Sequence, residues 1–400
     1  MRTDLPFATR MKQVRNSRIR EILKATAGGD IISFAGGLPD SVLMPGKALA
    51  SAARVVLERD ESALQYSVSE GLPELRATIS DRYRRRHGLK IPPEQILITH
   101  GAQQGLDLIA KVFIEPGDPV YLERPSYLGA IQSFSLFEAR PRGVALDEHG
   151  TDVDDLAARV EENGPGLFYS VPNFQNPTGI TCSLERRIAL SRLADKAGLL
   201  IVEDDPYGEL RFEGEDLPPL RALGADTIML GSFSKIIAPG LRVGWICARP
   251  EIMRALAAAK QASDLHTGTL NQAILLEYLK TNDLDEHIAT LRATYRRRRD
   301  ALVDTLSERL PSLRLHIPTG GMFLWCELNP DEFAGEAPAD ELCDRALKNG
   351  VAFVPGGAFF PDGGGGHCLR LNFTNSSPER LRAGVERLAR AVRAGRVVHA

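Results

Sequence analysis

The sequence lacks the features that would place it in a membrane, in a disulfide-rich class or around a structural zinc ion. Its five cysteines are scattered and odd in number, and none forms a C-x-x-C pair. No stretch approaches the roughly 20 consecutive apolar residues of a transmembrane helix, and the N-terminus has no apolar signal core. We therefore expect a cytoplasmic protein with no metal site.

The sequence also lacks a strong excess of charge. Its 49 basic and 52 acidic residues give a net charge of -3, so no overall field favours nucleic acid or an anionic membrane. Two basic runs, 82–86 and 296–299, have no periodic aromatic residues, and we interpret them as solvated turns of helices. With 43% hydrophobic residues, the 400-residue chain can bury a large core in two domains or in one domain with a smaller lobe.

Short apolar runs alternate with helical stretches between residues 95 and 248. Buried runs separated by helices predict an α/β fold, in which a mostly parallel seven-stranded sheet is covered by helices on both faces. Ligands of such sheets bind at the carboxyl ends of the strands, so the turns that follow the strands are the candidate sites. The predicted strands are Ile96–Thr99, Val120–Glu123, Arg140–Val144, Leu167–Val171, Leu199–Glu203, Thr227–Leu230 and Val243–Ala248.

The stretch 231–245 sets one lysine between two hydroxyls and an arginine, directly after a predicted buried strand. A lysine in an apolar pocket loses hydration, and its pKa falls towards the neutral amine that attacks a carbonyl. The neighbouring hydroxyls and the guanidinium are suited to bind an anion. Lys235 is therefore either a nucleophile towards a phosphorylated aldehyde, with Ser232, Ser234 and Arg242 as anion ligands, or a solvated loop lysine.

This segment resembles the lysine motif of the fold-type I aminotransferases of class I and II, which bind pyridoxal 5'-phosphate. The similarity extends along nearly the whole chain and is most specific for the subgroup that contains the 2-aminoadipate (LysN-type) and kynurenine aminotransferases. It implies a smaller α+β domain and a ping-pong exchange between an L-amino acid (2-aminoadipate, glutamate, aromatic or branched-chain) and a 2-oxo acid such as 2-oxoglutarate. The subgroup-specific segments are Ser17–Arg20, Phe34–Pro39, Asp264–Thr267 and Gly320–Trp325.

Two turns after predicted strands match positions that hold the cofactor in this family. The turn His100–Gln103 opens a helix, whose free amides and dipole suit a phosphate. The family usually has a hydroxyl residue where Ala102 stands, so the resemblance implies main-chain contacts from Gly101 and Ala102, together with Gln103. Tyr127 follows the second strand and is either an ordinary packing residue or, as the resemblance implies, the ring over the cofactor.

Two further turns match positions that tune the cofactor ring. Asn176 lies in a Pro-Asn-Phe-Gln-Asn-Pro-Thr-Gly turn, and its family counterpart hydrogen-bonds the phenolic oxygen of the cofactor and contacts the substrate. Asp204 either caps the next helix or, as the resemblance implies, pairs with the pyridine nitrogen, which keeps the ring ready to accept electron density. Tyr207, three residues later, matches the tyrosine near the phenolic oxygen.

Besides Asn176, four residues are candidates for substrate binding. Arg370 stands in an alternating strand where a charge is out of place; it is either a surface arginine of an edge strand or, by the resemblance, the fork for the substrate α-carboxylate. Gly36 and Gly37 form a turn that resembles the segment crossing the active-site mouth. Arg20 is either a surface helix residue or the mobile arginine with which relatives accept acidic side chains.

The resemblance also implies a homodimer with shared active sites. Tyr66 precedes a predicted helix, Leu72–His87, and its family counterpart reaches the phosphate bound by the neighbouring subunit. The expected domains are an N-terminal segment, 1–45, that belongs to the small domain and the active-site lid, a large cofactor-binding domain, 46–300, and a small C-terminal domain, 301–400.

Other functions occur on the same fold. A pyridoxal phosphate β-lyase or decarboxylase, or a specialised natural-product enzyme, would keep the residues named above. A non-enzymatic regulator fused to a DNA-binding domain is disfavoured, because only about 30 residues precede the predicted strand at Ile31, too few for a helix-turn-helix module.

Overall fold

The computed structural model describes residues 7–13, 18–26, 31–59, 61–333 and 335–394. The strands are β1 Ile32–Ser33, β2 Ile96–Thr99, β3 Pro119–Arg124, β4 Arg140–Asp147, β5 Gly150–Thr151, β6 Leu167–Ser170, β7 Leu200–Asp204, β8 Thr227–Ser232, β9 Gly244–Cys247, β10 Arg314–His316, β11 Phe323–Glu327, β12 Val351–Ala352, β13 Val354–Pro355 and β14 Cys368–Asn372. The α-helices are α1 Arg18–Ala25, α2 Gly46–Arg59, α3 Pro73–His87, α4 Ala102–Phe113, α5 Leu128–Ser135, α6 Val153–Asn163, α7 Leu184–Ala197, α8 Pro250–Asp264, α9 Thr269–Thr281, α10 Leu284–Arg309, α11 Pro338–Lys348 and α12 Pro378–Arg393.

An eight-stranded sheet forms the centre of the larger part of the molecule, in the order β2-β9-β8-β7-β6-β3-β4-β5. The neighbouring strands from β8 to β4 in this order are parallel, whereas β9 is antiparallel to β2 and β8. The seven strands predicted from the sequence are confirmed, with small differences at their ends. The eighth, β5, was not predicted, because a two-residue strand has no periodicity.

Helices cover both faces of this sheet. Successive residues of the central strands pack into two different hydrophobic clusters, as Tyr121 and Leu122 of β3 or Ile201 and Val202 of β7 do. This alternation is the two-residue period of a strand, and it places α6 and α7 on one face and α4 on the other. Every residue of β6 and β8 is buried, which explains their largely apolar sequences.

A second, antiparallel sheet has the order β10-β11-β14-β13. Strand β14 lies inside this sheet, with Arg370 opposite Trp325 of β11 and Val354 of β13. The alternative that Arg370 is a surface residue of an edge strand is therefore wrong. Residues 351–355 form two short strands, β12, which pairs with β1, and β13, which pairs with β14.

Other predictions about the chain concern its helices and its segments. The helix predicted at Leu72–His87 is α3. Helix α10 continues without a break past residue 300, and the expected domain limits stay a prediction. None of the described helices has both the length and the apolar composition needed to cross a bilayer.

One close contact fixes the turn between β2 and α4. Gly244 of β9 lies against this turn, and a Cβ atom built on it would be 2.7 Å from the Cα atom of Gly101 and 2.8 Å from the amide nitrogen of Ala102. Both partners are main-chain atoms, so they cannot rotate away as a side chain would. Gly240, by contrast, has no such atom within 4 Å of the corresponding position.

We expect Gly244→Ala to lower the free energy of unfolding by about 1–3 kcal/mol, the usual cost of overpacking a filled site. Gly240→Ala should leave this free energy nearly unchanged, because the added methyl group meets open space. Denaturant unfolding of the ligand-free proteins measures both effects. Equal unfolding midpoints for the two variants would show that the turn moves aside without cost.

Candidate active site

A cavity of about 540 Å³ opens at the carboxyl ends of the central parallel strands. Among the described residues that line it, three are cations and only Asp204 is an acid, so the cavity is suited to anionic ligands. It brings together most of the residues predicted from the sequence: Gly37, Ala102, Gln103, Tyr127, Asn176, Asp204, Tyr207, Ser232, Ser234, Lys235, Arg242 and Arg370.

Lys235 follows the end of β8 and points into this cavity. Its Nζ atom donates a hydrogen bond to the main-chain oxygen of Gly37, at 2.9 Å. Burial, together with the positive charges of Arg370 and Arg242, lowers the pKa of Lys235 from 10.5 to about 8. The neutral amine is therefore far more accessible at physiological pH than in a solvated lysine, and the alternative of a solvated loop lysine is wrong.

Two serines and an arginine form one wall of the cavity. Ser232 Oγ donates to Ser234 Oγ at 2.8 Å and accepts a hydrogen bond from the Ser234 amide at 3.0 Å. Arg242 adopts a left-handed backbone conformation, with φ of +52°, and its Nη2 atom donates to the main-chain oxygen of His100 at 2.9 Å. Hydroxyls, a guanidinium and the first amides of α4 thus converge on one region, which is a suitable arrangement for a phosphate.

The Gly101 turn is shaped by its contact with Arg242. Gly101 has φ of +72°, and a Cβ atom on it would lie 2.8 Å from Arg242 Nη2. Gly101 itself does not line the cavity, whereas Ala102 and Gln103 do. The side chain of Gln103 is already engaged, because it donates to Ser133 Oγ at 2.8 Å and accepts from the Tyr127 hydroxyl at 3.2 Å. It therefore holds the Tyr127 ring at the cavity wall.

Asp204, at the end of β7, is a buried carboxylate with one free oxygen. Its Oδ2 atom accepts a hydrogen bond from the Tyr169 hydroxyl at 2.8 Å, whereas Oδ1 is buried and has no partner among the described residues. Burial raises the pKa of Asp204 to about 7, the Tyr169 hydrogen bond opposes this rise, and Asp205 adds to it. The helix-cap alternative applies to Asp205 instead, since its Oδ1 atom accepts from the Gly208 amide at 2.8 Å. An N–H cation would satisfy the free oxygen of Asp204.

Arg370 and Asn176 form a second anion-binding corner. Arg370 Nη1 donates to Asn176 Oδ1 at 2.7 Å, and Nη2 donates to the main-chain oxygen of Ala35 at 2.8 Å. The guanidinium stacks on Phe323 and Phe359, whose ring centres lie 4.2 and 4.9 Å from its carbon. Its Nε atom is buried without a partner among the described residues. Burial lowers the pKa of Arg370 to about 10, so the group remains a cation at neutral pH.

Tyr207 lies beside this corner. Its hydroxyl accepts a hydrogen bond from Asn176 Nδ2 at 3.3 Å, and its ring packs edge-on against Phe323. Burial raises the pKa of Tyr207 well above 10, so the hydroxyl keeps its proton and remains able to donate it to a ligand oxygen.

Besides Gly101, two predicted residues, Tyr66 and Gly36, do not line the cavity of this single chain. Tyr66 is 78% exposed and packs edge-on against His266, with ring centres 5.8 Å apart. Gly36 is buried behind Gly37 and does not line the cavity. Arg20 belongs to α1, but its side chain lies outside the described part of the structure.

Several residues of the site were not predicted from the sequence. Tyr169 holds Asp204, and the rings of Phe323 and Phe359 hold Arg370. Tyr169 carries a usable signal, because a tyrosine inside a fully buried strand needs a partner for its hydroxyl. The two phenylalanines carry no such signal, since apolar residues are expected in any core.

A second cavity, of about 440 Å³, lies beyond Ser232, between α3 and the start of α10. Its arginines are neutralised, because Arg82 pairs with Glu209 and Asp285, and Arg86 pairs with Asp216. It also contains no lysine with the environment of Lys235. We therefore assign the chemistry to the first cavity.

The chain is similar to known proteins along most of its length. The family model described as aminotransferase class I and II matches residues 32–388. The chain is 43% identical to the 2-aminoadipate transaminase of Thermus thermophilus, over 95% of each protein. It is 39% identical to aromatic-amino-acid aminotransferase 1 of Thermococcus litoralis, over 97% of this chain and 94% of the relative.

Solved structures show the same similarity. LysN, an alpha-aminoadipate aminotransferase from Thermus thermophilus complexed with N-(5'-phosphopyridoxyl)-L-leucine, superposes with a TM-score of 0.89 at 42% identity, over 97% of each chain. The kynurenine aminotransferase of Pyrococcus horikoshii superposes with a TM-score of 0.90 at 37% identity, again over 97% of each chain.

The raised pKa of Asp204 predicts a pH-dependent stability of the ligand-free protein. The folded state binds this proton more tightly than the unfolded state, so the stabilisation is complete below pH 3.8 and is lost as the pH rises through about 7. The melting temperature should therefore fall between pH 6 and pH 8, and it should fall less in Asp204→Asn. Glu203, whose pKa is raised in the same direction, is present in both proteins and cancels in the comparison. If the melting temperatures of the two proteins fall by the same amount between pH 6 and pH 8, the prediction is contradicted.

Proposed function

The chain belongs to the class I and II aminotransferases and is a pyridoxal phosphate-dependent aminotransferase, and on that premise we propose its substrates and the roles of its residues. The proposed donors are L-amino acids with acidic, aromatic or branched apolar side chains: 2-aminoadipate, glutamate, phenylalanine and leucine. The proposed acceptor is a 2-oxo acid such as 2-oxoglutarate. The observation that carries this proposal is Arg370, a buried cation stacked between two phenyl rings, whose Nε atom has no partner in the part of the chain that the structure describes.

The cavity fits pyridoxal 5'-phosphate. The free Oδ1 atom of Asp204 suits the protonated ring nitrogen, and Tyr127 lies in the wall where a planar ring could stack. Asn176 and Tyr207 would hold the phenolic oxygen. The phosphate would be held by Ser232, Ser234, Arg242, Gln103 and the amides that follow Gly101. When bound, the cofactor supplies an aldehyde that takes up the amino group and a ring that accepts electron density.

Lys235 would act twice in this reaction. Its amine, with a pKa near 8, would hold the cofactor through its aldehyde. With the substrate in place, Lys235 Nζ would be the base that takes up the proton of the substrate Cα atom and gives it back. The hydrogen bond from Lys235 Nζ to the main-chain oxygen of Gly37 supports a position of the N-terminal segment over this atom, where the segment would exclude water.

Arg370 would orient the substrate for this proton transfer. The α-carboxylate would receive hydrogen bonds from the guanidinium and from Asn176, which are already joined to each other. Phe323 and Phe359 lie at this corner, Leu128 lines the same cavity, and the three give an apolar surface for the side chain of an aromatic or branched donor. An acidic side chain would need a further cation, and Arg20 is our candidate for it.

We also propose a homodimer in which Tyr66 enters the active site of the neighbouring subunit. The exposure of Tyr66 supports this, as does the exposure of the nearby apolar residues Leu64, Val68 and Leu265. The proposed domain limits, 1–45 with 301–400 for the small domain and 46–300 for the large domain, are supported by the separation of the two sheets along the chain. A cytoplasmic location remains part of the same proposal.

Lys235→Ala should lose both the absorbance band of the lysine–cofactor bond and transamination, because no other described lysine lines the cavity. Lys196→Ala, which changes an exposed lysine of α7, is the control and should keep both. Absorbance spectra with added amino acids and an assay of amino acid and 2-oxo acid pairs measure the two losses. More than trace turnover by Lys235→Ala would refute the assignment. Carbon dioxide or an unsaturated product in place of paired exchange would favour a decarboxylase or lyase.

Arg370→Lys should lower kcat/KM for every amino donor, because a point charge replaces the fork. The expected loss of transition-state stabilisation is about 1.5–3 kcal/mol, the range for a charge-assisted hydrogen bond.

Arg20→Ala should lower kcat/KM by a similar amount for 2-aminoadipate and glutamate, and it should leave kcat/KM for leucine and phenylalanine nearly unchanged. If Arg20→Ala affects both groups of donors equally, Arg20 only stabilises the segment over the cavity. If Arg370→Lys spares all donors, Arg370 does not bind the α-carboxylate.

A further inference from the structure

An ion pair between a buried lysine and a partly exposed aspartate lies behind the Gly101 turn and takes no part in the chemistry described above. Lys260 of α8 has a fully buried side chain. Its Nζ atom donates to Asp264 Oδ1 at 2.9 Å, to Asp264 Oδ2 at 3.0 Å and to Gln104 Oε1 at 2.9 Å. These three acceptors use all the donors of an ammonium group.

The ion pair is joined to the turn through hydrogen bonds. Gln104 Oε1 also accepts from the His100 amide at 2.9 Å, and Gln104 Nε2 donates to Asp264 Oδ2 at 2.6 Å. The ring Nδ1 atom of His100 lies 2.8 Å from the same Asp264 oxygen. On its other side, His100 accepts from Arg242 Nη2 through its main-chain oxygen. A continuous chain of hydrogen bonds therefore runs from Lys260 to Arg242.

This ion pair is a poor source of stability, because the cost of removing the charge of Lys260 from water offsets its attraction to Asp264. Its contribution here is geometric, since Lys260 and Asp264 hold both the amide and the ring of His100. The next residues of the chain, Ala102 and Gln103, line the cavity and begin α4. A rotation of the His100 peptide would turn the first amides of α4 and the guanidinium of Arg242 away from each other.

We propose that Lys260 and Asp264 are positioning residues for phosphate binding, which act through Gln104 and His100 on the amides of α4 and on Arg242. This inference rests on the cofactor site of the proposed function. Lys260 and Asp264 thus affect the affinity for the phosphate group without contacting it directly.

The test compares the binding of pyridoxal phosphate and of pyridoxal, which lacks the phosphate, to the ligand-free protein. Lys260→Met should raise the dissociation constant of pyridoxal phosphate by at least about tenfold. This is the change expected when the displaced turn costs the phosphate one charge-assisted hydrogen bond. The dissociation constant of pyridoxal should stay unchanged. Absorbance titration measures both constants. Competition of inorganic phosphate with pyridoxal phosphate for binding gives an independent measure of the affinity of the anion site.

Lys111→Met is the matched control. Lys111 also pairs with an aspartate one helical turn away, Asp107, at 2.7 Å, and its Nζ atom donates to Ser263 of α8 at 2.9 Å. It thus links the same two helices, α4 and α8, without reaching the turn. Lys111→Met should bind pyridoxal phosphate as the wild type does.

A double variant, Lys260→Met with Asp264→Leu, addresses the possibility that Lys260→Met fails to fold because Asp264 is left unpaired. Removal of both charges avoids that penalty, so the double variant should fold and keep the defect for pyridoxal phosphate. Wild-type affinity in the folded double variant would overturn the inference, as would equal losses for pyridoxal phosphate and pyridoxal. If the wild type binds no pyridoxal phosphate, the proposed function itself fails.

Discussion

Helices pack on both faces of the central sheet, and this burial leaves polar side chains a place only where the strands end. The buried acids Glu123, Glu203 and Asp204 all lie in the last two residues of β3 or β7. Glu123 accepts hydrogen bonds from Ser170 at 2.5 Å and from Gln175 at 3.2 Å, and so joins β3 to the turn that carries Asn176. The packing of helices on both faces of the sheet therefore also brings the polar residues of the site together at the strand ends.

Among the described residues that line the cavity, the cations outnumber the single acid, Asp204. Lys235 has its pKa lowered by burial and by two nearby arginines, and Asp204 has its pKa raised by burial, so both groups titrate close to neutral pH. A catalytic base is most effective when its pKa lies near the working pH, and this suits the proton transfer proposed for Lys235. The excess of positive charge also requires anions, and a phosphate together with a substrate carboxylate would supply them.

The sequence predicted the strands and most of the residues at their ends, because an apolar run that ends in a polar residue can be recognised from the order of the residues alone. It did not predict Tyr169, whose partner, Asp204, lies on the neighbouring strand, or Phe359, which reaches Arg370 only after the second sheet has packed. Asp204 and Asp205 show the limit most clearly. Asp204 is the last residue of β7 and Asp205 follows it, and only the backbone direction decides that Asp205 caps a turn and Asp204 enters the cavity.

The two cations Lys235 and Arg370 both donate to main-chain oxygens of the N-terminal segment, those of Gly37 and Ala35. A side-chain scan of this segment would miss these contacts, because a carbonyl oxygen persists after any substitution. Size still matters, since Ala35 is buried and a Cβ atom on Gly37 would lie 3.1 Å from the ring of Phe323. Natural variation at these two positions is therefore constrained by the backbone path and by small volume, and free of any demand for a particular functional group.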